Sequence, residues 1–405
     1  MKSNGNRPLS GVRVLELAQI MAGPICGSML ADLGADVIKV EKISGGDDAR
    51  RFGENKKNML PAPFTMVNRN KRGIAIDLKH PDSRALLHDM VKQSDVVIEN
   101  YRLGAMEKLS LGFDELIGIN PGLIYCSLSG YGRTGPMASQ GGFDLVAQGY
   151  TGLMSVTGEV GGDPVKPGNS VGDINAGILG AMAVMAAYIH RLKTGEGQFV
   201  ESSLYEASLQ QMYWFAAMYF GTGKIPGPNG SAHPLAAPYQ AFRAADKWIT
   251  IGGANQSNWE SIATVLGHPE WITDPRFLTN DKRKEHEPAL VKIIGDVLKE
   301  RESAYWIAQL EAAGVPAGPI NNIAEAVDHP QTRAREMVIE LEHPVAGHAR
   351  AFGFPIKFSR TPAAITRPAP LLGEHSREIL LEFGYSEERV RRLIEDKVVG
   401  VSGAA

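Results

Sequence analysis

Five short apolar runs in the first 130 residues alternate with segments of helical texture. The runs are Val12–Leu17, Asp36–Glu41, Gly73–Leu78, Asp95–Glu99 and Leu123–Leu128. Each is four to eight residues of mostly apolar side chains, which is the signature of a buried strand. Between them, Gly23–Leu33 is rich in small and apolar residues and reads as a helix, with Pro24 suited to its first turn. Pro81–Gln93 reads as a second helix, opened by proline. Strands separated by helices predict a mostly parallel sheet with helices on both faces. Ligands of such sheets bind beyond the carboxyl ends of the strands. The loops to watch are therefore Ala18–Pro24, Glu41–Gly46, Asn100–Arg102 and Ser129–Pro136.

After residue 150 the texture changes. Gly158–Gly172 is a Gly/Pro-rich loop that leads into Asp173 and a long apolar helix, Ile174–Leu192. His190, Arg191 and Lys193 complement the helix dipole at its end, and Gly195 follows as a stop. Ser203–Phe220 reads as one more long helix, and Gly221–Pro238 as a Gly/Pro linker. All five tryptophans lie between 214 and 306, so residues from about 235 to 320 read as a smaller unit with its own core.

Composition narrows the class without naming a function. The chain has 405 residues, 43% hydrophobic and 21% charged, which fits a soluble globular protein of two or three domains. Net charge is −3, which argues against bulk binding to nucleic acid or anionic membrane. The most apolar run, Ile178–Ile189, is shorter than the roughly 20 residues that span a bilayer. The polar beginning of the sequence has no apolar signal core, so a cytoplasmic protein is expected. Cys26 and Cys126 form no CxxC, and the histidines form no metal-ligand pattern, so no metal is expected. One local feature stands out. Residues 50–79 hold Arg50, Arg51, Lys56, Lys57, Arg69, Lys71, Arg72 and Lys79 against only Glu54 and Asp77. That is either a solvated face or a patch for a polyphosphate ligand.

Several templates fail. The loop after the first strand, AQIMAGPICG, is not GxGxxG, and the chain has neither a GxSxG elbow nor a Walker loop. Two places remain. Asp173 opens a long helix, which suits either an N-cap or a carboxylate nucleophile held ionised by the helix dipole. The helix N–H groups could also steady an oxyanion formed beside it. Ile251–Asn255 (IGGAN) is either an ordinary glycine turn or a loop able to close over a ligand.

A set of motifs in order along the chain resembles the class III CoA-transferase family (carnitine CoA-transferase/formyl-CoA transferase, CaiB/BaiF type). They include Met21-Ala22-Gly23-Pro24, Leu33-Gly34-Ala35-Asp36-Val37-Ile38-Lys39-Val40-Glu41 and Asn68-Arg69-Asn70-Lys71-Arg72. Others are Val97-Ile98-Glu99-Asn100-Tyr101, Gly130-Tyr131-Gly132-Arg133-Thr134-Gly135-Pro136 and Leu372-Gly373-Glu374-His375. The resemblance implies an α/β architecture: a Rossmann-like large domain from 1–225 and 326–405, a smaller α+β domain from 226–325, and an interlocked homodimer. It also implies transfer of coenzyme A from an acyl-CoA such as succinyl-CoA to a small carboxylic or dicarboxylic acid. CoA is then a substrate, with no permanently bound cofactor.

The resemblance assigns roles residue by residue. Asp173 is the nucleophile, forming an anhydride and then an aspartyl-CoA thioester. CoA contacts fall on Met21, Ala22, Lys42, Ile76, Leu78, Lys79, Asn100, Tyr101, Lys108 and Arg133. Gly252, Gly253, Ala254 and Asn255 match a glycine-rich lid that excludes water. Met21 stands where the oxalate enzymes carry glutamine, which argues against oxalate as acceptor. Phe143 stands where the family's racemases carry histidine, and it cannot move a proton. A racemase and a non-catalytic CoA-binding protein are the competing readings. The pattern looks most like members acting on small dicarboxylic acids, and Arg50 and Lys71 are sequence neighbours of the expected site.

Overall fold

The five apolar runs form five strands, with ends shifted by a residue or two: β1 (Arg13–Leu17), β2 (Asp36–Glu41), β3 (Arg72–Ile76), β4 (Val96–Glu99) and β5 (Ile124–Ser129). The computed structural model describes residues 7–53 and 60–403. Nearly every residue of these strands is buried, as strands covered on both faces must be. A sixth parallel strand, β6 (Gln198–Ser203), was not expected from its sequence, QFVESS. It is an outer strand, only half covered, so it carries no unbroken apolar run.

The smaller unit comprises residues 154–166 and 214–329. Its sheet is antiparallel, β7 (Tyr239–Arg243), β8 (Trp248–Gly252) and β9 (Ala317–Pro319). Trp259, Phe277, Leu290, Ile294 and Trp306 fill its core. Of the five tryptophans, Trp259 and Trp306 are buried there, whereas Trp214 and Trp248 are exposed.

The larger unit comprises residues 1–153, 167–213 and 330–405. It also holds the hairpin β10 (Val338–His343) and β11 (Gly347–Phe352), and a final two-residue strand, β12 (Val399–Gly400). Its main sheet has the order β12-β3-β2-β1-β4-β5-β6. All neighbours are parallel except β12, which closes one edge antiparallel to β3. The expected divisions at 225 and 325 compare with divisions at 213 and 329, and 154–166 groups with the smaller unit.

In the larger unit the chain-order helices are α1 (Ala22–Asp32), α2 (Ala62–Asn68), α3 (Pro81–Lys92), α4 (Ala105–Lys108) and α5 (Phe113–Ile119). They continue as α6 (Asp144–Tyr150), α7 (Val171–Thr194) and α8 (Leu204–Gln210). Side chains of α1 and α7 join one core on one face of the sheet. Side chains of α3 and of two C-terminal helices, Ser376–Glu382 and Glu387–Glu395, join the core of the other face. The long helix expected over Ser203–Phe220 is two helices, α8 and Tyr213–Thr222, with a turn at Gln211–Met212. No residue type there demands the break.

The apolar run at 178–189 belongs to a longer helix than expected. α7 has 24 residues, long and apolar enough to cross a membrane by length and composition only. Its small residues Ala176, Gly177, Gly180 and Ala181 are buried, as in the core helix of a globular unit. At Gly177 a Cβ would lie 2.6 Å from the Ala22 carbonyl oxygen and 2.8 Å from Ile25. Glycine there lets α7 lie directly on the first turn of α1.

Candidate active site

Strand order reverses between β1 and β4, and the loops that leave these two strands meet there. Asn100, just after β4, holds Gln19, just after β1. Its Oδ1 accepts from the Gln19 N–H at 3.0 Å, and its Nδ2 donates to the Gln19 carbonyl at 2.9 Å. Three residues further on, at Ala22, the chain enters α1.

The Ala22 N–H, at the first position of α1, acts on the Asp173 carboxylate and lowers its proton affinity. Asp173 is the third residue of α7 and half-buried. It is not the helix cap; the N-cap position is Ser170. The anion at this helix end is Asp144, the first residue of α6. Its Oδ1 accepts from the Gly172 N–H at 2.8 Å and the Asp173 N–H at 3.3 Å, while Gln148 donates to its Oδ2 at 2.6 Å. The N–H groups expected to steady an oxyanion at α7 are thus taken by Asp144. The N–H that favours the Asp173 anion is that of Ala22 in α1.

This arrangement sets the proton affinity of Asp173. Burial pushes its pKa up, the neighbouring Asp144 charge pushes it further, and the Ala22 N–H pulls it back; the result is about 6. At pH 7 the group is then about nine-tenths ionised, yet more basic than an ordinary carboxylate. An ionised, partly desolvated carboxylate facing a backbone N–H can attack a carbonyl carbon. Asp144 was missed by sequence reasoning. Its neighbours QGGFDLV carry no sign that it caps a helix beginning 27 residues later.

A cavity of about 430 Å3 opens at the carboxyl ends of β1 to β4. Lys42, Leu78, Lys79 and Tyr101 all line it, together with Ala18 and Gln19 of the loop that continues to Ala22. Ile76 lies in the core of β3. Lys108 is exposed at the end of α4 and does not line the cavity. Arg133 also does not line it, and its guanidinium is engaged: it donates to Ser127 at 2.6 Å and to Glu99. Among the described residues, no group of three or more His, Cys, Asp or Glu side chains converges as a metal site requires.

The basic segment looks different in three dimensions. Arg50 pairs with Glu41 at 2.7 Å, Arg69 with Asp32 at 2.6 Å and Lys71 with Glu16 at 2.7 Å. Arg72 meets Asp36, Glu378 and Glu382 within 2.8 Å. Acids elsewhere in the chain neutralise these four members of the run, and Lys79 lines the cavity. Arg50 and Lys71 therefore cannot serve as free cations for a second substrate carboxylate. Lys56 and Lys57 lie outside the described residues.

In the smaller unit, Gly252 ends β8 and Asn255 caps the next helix, accepting from the Asn258 N–H at 2.8 Å. Gly252 and Gly253 donate to the Pro316 and Pro238 carbonyls, both at 2.8 Å. A Cβ on Gly253 would lie 2.3 Å from the Pro238 oxygen. Close backbone packing is the reason for glycine at this position.

Comparison with known proteins adds the chemistry. The family model described as CoA-transferase family III matches residues 9–376. The succinyl-CoA:glutarate CoA-transferase of Homo sapiens is 36% identical over 397 residues, covering 98% of this chain and 91% of that protein. The succinate–glutarate CoA-transferase of Agrobacterium fabrum is 39% identical over 385 residues, covering 94% and 96%. A CaiB/BaiF family protein from Brucella suis superposes with a TM-score of 0.84 at 38% identity, covering 93% of this chain and all of that one.

Proposed function

This chain belongs to CoA-transferase family III, and from that premise we propose that Asp173 carries CoA transfer between small dicarboxylic acids. The observation that carries the reading is the half-buried Asp173 carboxylate in the first turn of α7, one turn before Gly177, which packs on the Ala22 carbonyl where the loop from Ala18 enters α1. The same loop borders a cavity with Lys42, Lys79 and Tyr101.

An Asp173 oxygen attacks the donor thioester carbonyl, the C–S bond breaks and CoA leaves as thiolate. The thiolate then attacks the Asp173 carbonyl of the mixed anhydride and releases the donor acid, leaving an aspartyl-CoA thioester. The acceptor carboxylate displaces the thiolate, forming a second anhydride. The thiolate finally attacks the acceptor's carbonyl, releasing the new acyl-CoA and restoring the carboxylate. One exchange is divided into steps of lower barrier. At each stage the Ala22 N–H supports negative charge on the Asp173 oxygens. CoA enters as a substrate, and no permanently bound cofactor is needed. Lys42 and Lys79 are assigned to its phosphates, and the Gly252–Asn255 loop to exclusion of water from the anhydride.

The donor is assigned as succinyl-CoA and the acceptor as a short dicarboxylate, on the strength of what the human and Agrobacterium relatives are named for. A racemase reading lacks a proton carrier, since position 143 is an exposed phenylalanine. The working form is assigned as a homodimer. Ile178, Met182, Ile189 and Leu192 are exposed and recur at helical spacing on one stripe of α7, an apolar face that a second copy would cover. Incubation with succinyl-CoA and a panel of free acids, read by mass spectrometry, should yield new acyl-CoAs with short dicarboxylates. Preference for long-chain or aromatic acids would overturn the substrate assignment.

A further inference from the structure

We propose that a buried charge cluster of Glu16, Lys39, Asp47 and Lys71 is a positioning device. It holds the loop from Ala18 to Pro24, and with it the first turn of α1, in place against α7 beside Asp173. The inference rests on the reading of Asp173 as nucleophile.

Glu16, Lys39 and Lys71 have no solvent exposure, and Asp47 has 2%. The four charges cancel. Lys39 Nζ lies 3.0 Å from Glu16 Oε1 and 2.9 Å from Asp47 Oδ2; Lys71 Nζ lies 2.7 Å from Glu16 Oε2. Burial works to strip the proton from Lys39, but Glu16 and Asp47 outweigh it and hold the ammonium. Charges buried this way are seldom retained for stability alone, since well-packed apolar side chains often do as well.

What the cluster does with its remaining bonding capacity is specific. Lys39 donates to the Ala18 carbonyl at 2.8 Å, and Lys71 donates to the Pro24 carbonyl at 2.8 Å. Asp47 Oδ1 accepts from the Ile20 N–H at 2.9 Å. Three backbone groups of one loop are thus tied to the cluster, on both sides of Met21–Gly23. Asn100 ties Gln19 from the other side. Ile20 has φ +69°, a conformation that a β-branched residue adopts only when its surroundings impose it. Helix α1 also rests on the cluster. A Cβ on Gly27 would lie 1.8 Å from Glu16 Oε2 and 3.4 Å from Lys71 Cε. Loop and helix are therefore registered against the same four side chains, and the product of that registration is the seat of the Ala22 carbonyl and Ile25 on Gly177 of α7, one turn from Asp173.

Three variants test this in the full-length enzyme. Lys39→Met/Asp47→Leu removes one charge of each sign and both bonds to Ala18 and Ile20. It should lower kcat roughly tenfold or more with donor KM little changed, as for a misplaced catalytic group. It should also move the acid limb of the kcat profile to higher pH, because the Ala22 N–H that lowers the Asp173 pKa is displaced. Lys39→Met/Asp47→Asn restores an acceptor for Ile20 and should recover part of both effects. If the first variant does not fold, Ile20→Gly loosens the loop while leaving every buried charge in place, and should show the same two changes on a smaller scale. Wild-type kcat per folded molecule and an unmoved acid limb, in whichever variant folds, would overturn the positioning role. Failure of the wild-type enzyme to form a covalent adduct at Asp173 is a different result, and it would instead overturn the reading on which this inference rests.

Discussion

Asp173 is pulled two ways: burial and the Asp144 charge favour its proton, and the Ala22 N–H favours its anion. With a pKa of about 6, transfer should rise with pH through that value and level off near 7. Asp144→Asn keeps an oxygen for the Gly172 and Asp173 N–H groups but removes the repelling charge. Its acid limb should move to lower pH; an unmoved limb would deny Asp144 any electrostatic role. Stability follows the same arithmetic. Unfolded, Asp173 titrates near 3.8; folded, near 6. Between these values the folded protein binds the extra proton, so this group's contribution falls as pH rises from about 4 to 6 and stays lower above. Asp173→Asn should therefore melt higher than wild type at pH 7 and converge with it near pH 4, as thermal unfolding at the two pH values will reveal. At this scale sequence singled out Asp173 by its place before an apolar helix. It could not place Asp144 or the Glu16–Lys71 pair, because their partners lie 28 to 55 residues away and only the folded sheet brings them together.

Within each unit, a close backbone approach depends on an absent side chain. Gly177 lets α7 reach the Ala22 carbonyl, so Gly177→Ala should push α1 aside. The expected cost is about 1–3 kcal/mol of stability, with a fall in kcat beyond what the lost stability explains. Gly253→Ala should also cost about 1–3 kcal/mol, through the Pro238 carbonyl. Chemical denaturation of each variant measures both. The buried strands were legible because parallel strands covered on two faces must be apolar runs. β6 and β12 were not, the one half covered at an edge and the other two residues long. The break between α8 and the following helix likewise has no local signal. The basic run at 50–79 misled for the same reason as Asp144: its counter-charges are supplied by β1, β2, α1 and the C-terminal helices.

For the whole molecule, the stripe Ile178, Met182, Ile189 and Leu192 predicts association. Wild type should scatter light as a dimer at micromolar concentration, and Met182→Asp/Leu192→Glu should shift it toward monomer. A monomeric wild type would contradict the proposed assembly. The central claim is that CoA passes through a covalent bond to Asp173, and trapping tests it most directly. Enzyme incubated with succinyl-CoA is treated with hydroxylamine or borohydride, digested, and its modified peptide mapped by mass spectrometry. The account predicts a label on Asp173 that vanishes in Asp173→Asn together with transfer. A label on another carboxylate, or near-normal transfer by Asp173→Asn, would contradict it.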